Sequence, residues 1–317
     1  MGNRATFVIG SAGEYELRGS SYGAVDLDLD LLAGPEVVLP FLRGHRMETC
    51  GWYDDDACEA GALVDPAGRL LLVFAQEGWS VSMRSRAAWC RLLRLGWPGW
   101  DVRWAYDGQS GLRSHLGLGP TGGRDAVYPG PPLESGDEEL ADPDPGVCVV
   151  TIGADRCHVL AHIGDHPVAE GPAVLDRLSG APRLDGYAGP AEAGIHLDPA
   201  ARRVGWWLTG AVAQAGGMSA RWPGWTVEFW ADRWSEHARA APARFAPPAA
   251  DRTAALDAVR DEALQRWAEP RADHRARLAA ALPGRFIGGG FAPAVTEQRA
   301  ARARAAIERA HRAATAD

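Results

Sequence analysis

Apolar and polar positions along the chain alternate between two periods. Residues 6–10 and 15–17 read as short strands of a first hairpin. Residues 30–42 carry Leu31, Leu32, Val37, Val38, Phe41 and Leu42 at helical spacing, which predicts a helix interrupted near Gly34-Pro35. Residues 61–65 and 69–75 form the clearest hairpin, closed by Asp65-Pro66-Ala67-Gly68, where Pro presets φ and Gly closes the turn. Residues 70–74 are apolar on both faces, so this strand should be central and covered on both sides. Trp89, Leu92 and Leu93 predict a helix over 85–95, which Gly96 and Pro98 stop. Trp100, Val102 and Trp104 then alternate with Asp101 and Arg103, the pattern of a half-buried strand.

The same pattern returns in the same order. Ile9-Gly10 is answered by Ile152-Gly153, and Gly34-Pro35-Glu36-Val37 by Gly171-Pro172-Ala173-Val174. Gly61-Ala62-Leu63-Val64-Asp65-Pro66 is answered by Gly194-Ile195-His196-Leu197-Asp198-Pro199, and Trp97-Pro98-Gly99-Trp100 by Trp222-Pro223-Gly224-Trp225. The offsets shrink from 143 through 137 and 133 to 125, so the second copy keeps the order with shorter loops. Its hairpin falls at 194–208, its helix near 210–220 and its closing strand at 225–230.

Between the copies, residues 117–146 are rich in Gly, Pro and acidic groups, the composition of a linker or surface loop. Residues 240–250 form a second linker. Beyond it Leu256, Val259, Ala263 and Trp267 share one helical face, and further Ala/Arg-rich helices are expected at 273–282 and 296–314, the last of them solvated. The expected fold is therefore α+β: two tandem copies of a small antiparallel-sheet-plus-helices unit, at 1–116 and 147–239, followed by a helical C-terminal extension over 240–317.

Composition narrows the class of protein. A chain of 317 residues has no run of about 18 apolar residues, and its start lacks a basic segment followed by an apolar one, so neither a membrane span nor a signal peptide is expected. All 33 basic residues are Arg, and the net charge is −8. From Asp251 onward 12 Arg face 9 acidic groups, so the body is more acidic than the whole, which argues against nucleic acid as a partner. Five Cys without a C-x-x-C pair fit a reduced, cytoplasmic protein.

Three clusters are candidates for chemistry. Asp54, Asp55, Asp56 and Glu59 lie on one loop and could hold a hard cation or act as crowded acid/base groups, although metal loops usually space their ligands. His158 and His162 share a face, and with Asp165 or His166 could make a three-ligand zinc site. Trp52, beside the acidic loop and outside the repeated phrases, is the candidate for an exposed contact. The other tryptophans recur with their surroundings, as core residues would. No G-x-S-x-G occurs, and no Walker-type loop is possible without Lys.

The Trp-Pro-Gly-Trp-x-Val phrase, with the Asp-Pro hairpin ahead of it, resembles uncharacterised actinobacterial-type proteins over most of the first copy and less closely over the second. That resemblance implies a soluble bacterial protein and assigns no catalytic residue. The repeated residues are those a fold needs, while polar candidates stand in one copy only. A non-catalytic protein-interaction or regulatory protein, of the adaptor or immunity kind, is therefore expected, with a protein partner before a small molecule. The alternative is a hydrolase or metal-dependent enzyme, with zinc as its metal, working in a cleft between the copies.

Overall fold

The computed structural model describes residues 3–45, 51–119, 127, 129–142, 145–162, 165–212, 215–270 and 293–316. The chain divides into two compact units, the first from 1–80, 85–122 and 251–317, the second from 81–84 and 123–250.

The first unit is built on a five-stranded sheet of β1 (Ala5–Ser11), β2 (Glu14–Ser20), β3 (Ala60–Asp65), β4 (Leu70–Ala75) and β5 (Asp101–Trp104), in the order β2-β1-β3-β4-β5. The β1–β2 and β3–β4 pairs are the expected antiparallel hairpins. The joins β1–β3 and β4–β5 are parallel, so the sheet is mixed. Parallel neighbours need a crossover, and helices supply it. α1 (Leu27–Leu31) and α2 (Pro35–Gly44) carry the chain from β2 to β3, and α3 (Arg86–Gly96) carries it from β4 to β5. α4 (Gln109–His115) packs on β1, β3 and β4.

The second unit repeats the plan with β6 (Val147–Ile152), β7 (Arg156–Ala161), β8 (Ala193–Asp198), β9 (Arg203–Leu208) and β10 (Thr226–Ala231), in the order β10-β9-β8-β6-β7. β6–β8 and β9–β10 are again parallel. α5 (Ala173–Arg177) stands where α2 stands in the first unit, and α6 (Trp234–Ala240) packs on β8, β9 and β10. In place of the helix expected near 210–220, Ala215–Arg221 forms a 3-10 helix.

The repeated phrases hold equivalent contacts. Trp97 Nε1 donates to the Leu31 carbonyl and Trp222 Nε1 to the Val168 carbonyl, each at 2.8 Å and each three residues before the repeated Gly-Pro. Gly34 and Gly171 both have positive φ, and a Cβ there would stand 2.6 Å from the Gly96 carbonyl oxygen and 2.3 Å from that of Arg221. Only glycine fits so close a backbone approach at that φ. Trp97 meets Trp100 edge-on at 4.9 Å, and Trp222 meets Trp225 at 5.1 Å. The repeated Trp-Pro-Gly-Trp is thus a corner that locks helix to sheet in each unit.

The helical C-terminal extension follows the second unit in the chain and groups with the first unit. α7 (Arg252–Arg266) and α8 (Glu297–Thr315) pack on each other and on α3. Arg266 pairs with Asp30 at 2.8 Å and Asp26 at 3.1 Å, and Trp267 is fully buried edge-on to Phe41. α8, expected to be solvated, buries Ala300, Ala303, Ile307, Ala310 and Ala314. Alanine at this spacing lets helices approach closely, so a stripe with one large apolar residue suffices to seat the helix. The helix expected at 273–282 lies outside the described residues. Among the described residues no helix is long and apolar enough to cross a membrane.

Candidate functional site

The acidic loop of the first unit is tied into its own scaffold. Asp55 accepts from Gln109 Nε2 at 3.1 Å and Ser110 Oγ at 3.0 Å, at the start of α4. Gln109 also donates to the Tyr53 carbonyl at 2.6 Å and accepts from Thr6 Oγ1 at 2.8 Å. Asp54 is exposed, Glu59 is half-buried with its pKa raised by burial and by Glu77, and the Asp56 side chain lies outside the described residues. Trp52 is partly covered, with the Arg113 guanidinium 5.2 Å from its ring centre. The loop thus works as a clip between β3 and α4.

The histidine cluster of the second unit does not converge. His158 is buried and its Nδ1 bonds the Pro182 carbonyl at 2.6 Å, which fixes the proton on that nitrogen. His166 accepts from Val168 N at 3.1 Å through Nδ1 and reaches the Trp207 carbonyl at 3.2 Å through Nε2, and burial pushes its pKa down to about 3. Burial alone pushes His162 down to about 4, and Asp165 is partly buried. Among the described residues no three His, Cys, Asp or Glu side chains gather to hold a metal ion. His166 thus has both ring nitrogens on backbone groups while His158 keeps Nε2 without a partner, and among the described residues His158, His162, Asp165 and His166 are not gathered as the expected zinc set.

A different cluster emerges when the two sheets are compared rung by rung. In the first unit Val8 stands opposite Leu63 on parallel β1 and β3; in the second, the same register holds Thr151 opposite His196. Gly61 and Gly194 are equivalent, and each makes room for two side chains. A Cβ on Gly61 would meet Phe74 and Leu112, and one on Gly194 would meet Trp207 and His237. Four apolar residues, Val8, Leu63, Phe74 and Leu112, each at most 1% exposed, are thus replaced together by Thr151, His196, Trp207 and His237.

The replacements bond to one another. Trp207 Nε1 donates to His237 Nδ1 at 3.0 Å, His237 Nε2 lies 2.7 Å from Thr151 Oγ1, and Thr151 Oγ1 lies 2.8 Å from His196 Nδ1. Thr151, Trp207 and His237 are fully buried, and His196 is partly exposed. Burial pushes the His237 pKa down to about 3, with His196 adding to the effect. Burial also lowers His196, against the pull of Asp198. Buried polar groups cost stability unless satisfied, so a chain of four bonded groups replacing a dry apolar set is a departure that packing alone does not require.

His196 opens onto a cavity of about 400 Å³ walled by β8, β9, β10 and α6. Asp198, Arg203, Glu228, Glu236 and Arg239 also line it. Glu236 is paired with Arg239, and Arg233 approaches Glu228 at 3.7 Å. The Trp230 ring lies against Gly205, where a Cβ would stand 1.9 Å from the indole. Gly205 occupies the rung position of Leu72, so in the second unit the Trp230 indole stands where a side chain stands in the first.

No protein-family model, no curated protein and no solved structure matches the chain. Burial pushes the Cys58 and Cys157 thiols up to about 11 and Cys148 up as well, which keeps these three protonated. Sequence reasoning passed over the Thr151–His196–His237 set. One signal was present, since His196 is the polar residue standing in place of Leu63 within the repeated hairpin phrase.

Proposed function

We propose that this is a non-catalytic regulatory protein of the adaptor or immunity kind, and that its second unit is a binding module which takes a small polar ligand. The observation that carries this reading is the joint replacement of Val8, Leu63, Phe74 and Leu112 by Thr151, His196, Trp207 and His237 beside an open, charge-lined cavity. On a duplicated scaffold, the first copy records what the fold needs, and the polar departure in the second records what recognition needs. The first unit, reinforced by the C-terminal helices, is the structural half, and a protein partner would read the state of the liganded second half.

Binding is favoured over turnover by how the polar groups are spent. His237 and Thr151 are consumed in holding His196, and the carboxylates Glu228 and Glu236 have arginine neighbours. The test is to incubate the purified protein with a small-molecule cell extract and follow both retention and composition. Native mass spectrometry should find a small molecule retained by the wild type and released by His196→Leu, with the extract otherwise unchanged. Depletion of an extract component with appearance of a product would identify an enzyme instead.

A further inference from the structure

The bonds around His196 determine its tautomer, one donor at a time. An indole N–H can only donate, so Trp207 makes His237 Nδ1 an acceptor. A neutral imidazole with an accepting Nδ1 carries its proton on Nε2, which therefore donates to Thr151 Oγ1. The buried Thr151 hydroxyl has its own proton to place, and among the described residues its remaining partner is His196 Nδ1. His196 is then an acceptor at Nδ1 and a donor at Nε2, the edge turned away from Thr151.

We propose that the Trp207–His237–Thr151 chain fixes His196 as a permanently neutral Nε2–H donor to the cavity, which takes a small carboxylate-bearing ligand through that donor and Arg203. Protonating His196 at Nδ1 would set two donors against Thr151 Oγ1 and strand the hydroxyl proton in a buried site, so the chain opposes the charge. Asp198 on the same strand pulls the other way. Of the other charged groups facing the cavity, Glu236 is held by Arg239 on α6 and Glu228 has Arg233 near it, while Arg203 on β9 forms no ion pair among the described residues. A carboxylate is the acceptor that meets both an N–H and a guanidinium. His237 and Thr151 are positioning residues here, since neither lines the cavity.

This inference rests on the reading of the second unit as a binding module, and imidazole NMR separates the two. Long-range proton–nitrogen spectra of histidine-labelled protein, with His196 assigned by His196→Leu, report tautomer and titration directly. The expected result is a pyridine-type Nδ1 and a protonated Nε2 for His196, unchanged from pH 5 to 8. Sodium acetate should shift the Nε2–H signal saturably where equal sodium chloride does not. In Thr151→Val, which restores the residue of the first unit, His196 should lose its single tautomer and take up a proton at higher pH than in the wild type, though burial still opposes the charge. A tautomer mixture, or uptake of a proton between pH 5 and 8 in the wild type, would overturn the lock. An acetate response no greater than that of chloride would overturn the ligand class. A fixed tautomer with nothing retained from the extract would sink the binding reading, whereas a retained molecule beside a freely titrating His196 would sink this one.

Discussion

Thr151 and His196 face each other across β6 and β8 at 2.8 Å, on the rung where the first unit holds Val8 and Leu63. One sheet position is thus dry in one half of the molecule and hydrogen-bonded in the other. The pair should therefore behave as a unit. Thr151→Val alone strands His237 Nε2–H and His196 Nδ1, at about 1–3 kcal/mol for a buried unsatisfied group. Adding His196→Leu, His237→Leu and Trp207→Phe removes the stranded groups, the indole donor that His237 serves included, and should recover much of that loss. Denaturant unfolding of the single and quadruple variants measures it, and additive losses would contradict the coupling.

Trp207→Phe restores the residue of Phe74 and removes the indole donor to His237. With its Nδ1 free, His237 loses the bond that selects its tautomer. The expected loss is about 1–3 kcal/mol. Imidazole NMR should show His237 as a tautomer mixture, and a single tautomer in this variant would show that something other than Trp207 fixes it.

Gly34→Ala and Gly171→Ala should destabilise their units by similar amounts, since each Cβ meets a backbone carbonyl at positive φ. The cost is about 1–3 kcal/mol each. Unfolding midpoints test this, and a neutral substitution at either site would break the equivalence of the two corners.

The units should respond to pH with opposite sign. Native His237 sits at about 3, below its unfolded value of about 6.5, so the native state binds fewer protons between them. Its stabilising contribution is complete above 6.5 and is lost as pH falls toward 3. Native Asp28, buried and accepting from Ser80 N and Leu29 N, sits at about 6, above its ordinary 3.8. Its contribution is present below that ordinary value and is lost as pH rises through 6. Amide exchange by mass spectrometry at pH 4.5 and 7 should show the second unit losing protection at the lower pH relative to the first. His237→Leu should weaken the first trend and Asp28→Asn the second.

What was legible in the sequence follows from what repeats. The hairpins, the Gly-Pro helix break and the Trp-Pro-Gly-Trp corner could be read because each is a local phrase whose chemistry is complete within a few residues. The parallel joins β1–β3 and β6–β8 could not, because they depend on how helices carry the chain back across the sheet. Asp54, Asp55 and Asp56 drew attention as a charge run, yet Asp55 is used by Gln109 and Ser110, more than fifty residues away. The equivalence of Leu112 and His237 has no sequence signature. It appears only where each leans over the matching glycine, Gly61 or Gly194.

The central claim is that the polar set of the second unit serves recognition and not folding. The most direct measurement combines Thr151→Val, His196→Leu, Trp207→Phe and His237→Leu, giving the second unit the residues of the first. Unfolding stability and small-molecule retention are then measured on the same protein. The prediction is a folded protein at least as stable as the wild type that no longer retains the molecule. Undiminished retention, with the chain fully folded, would contradict it.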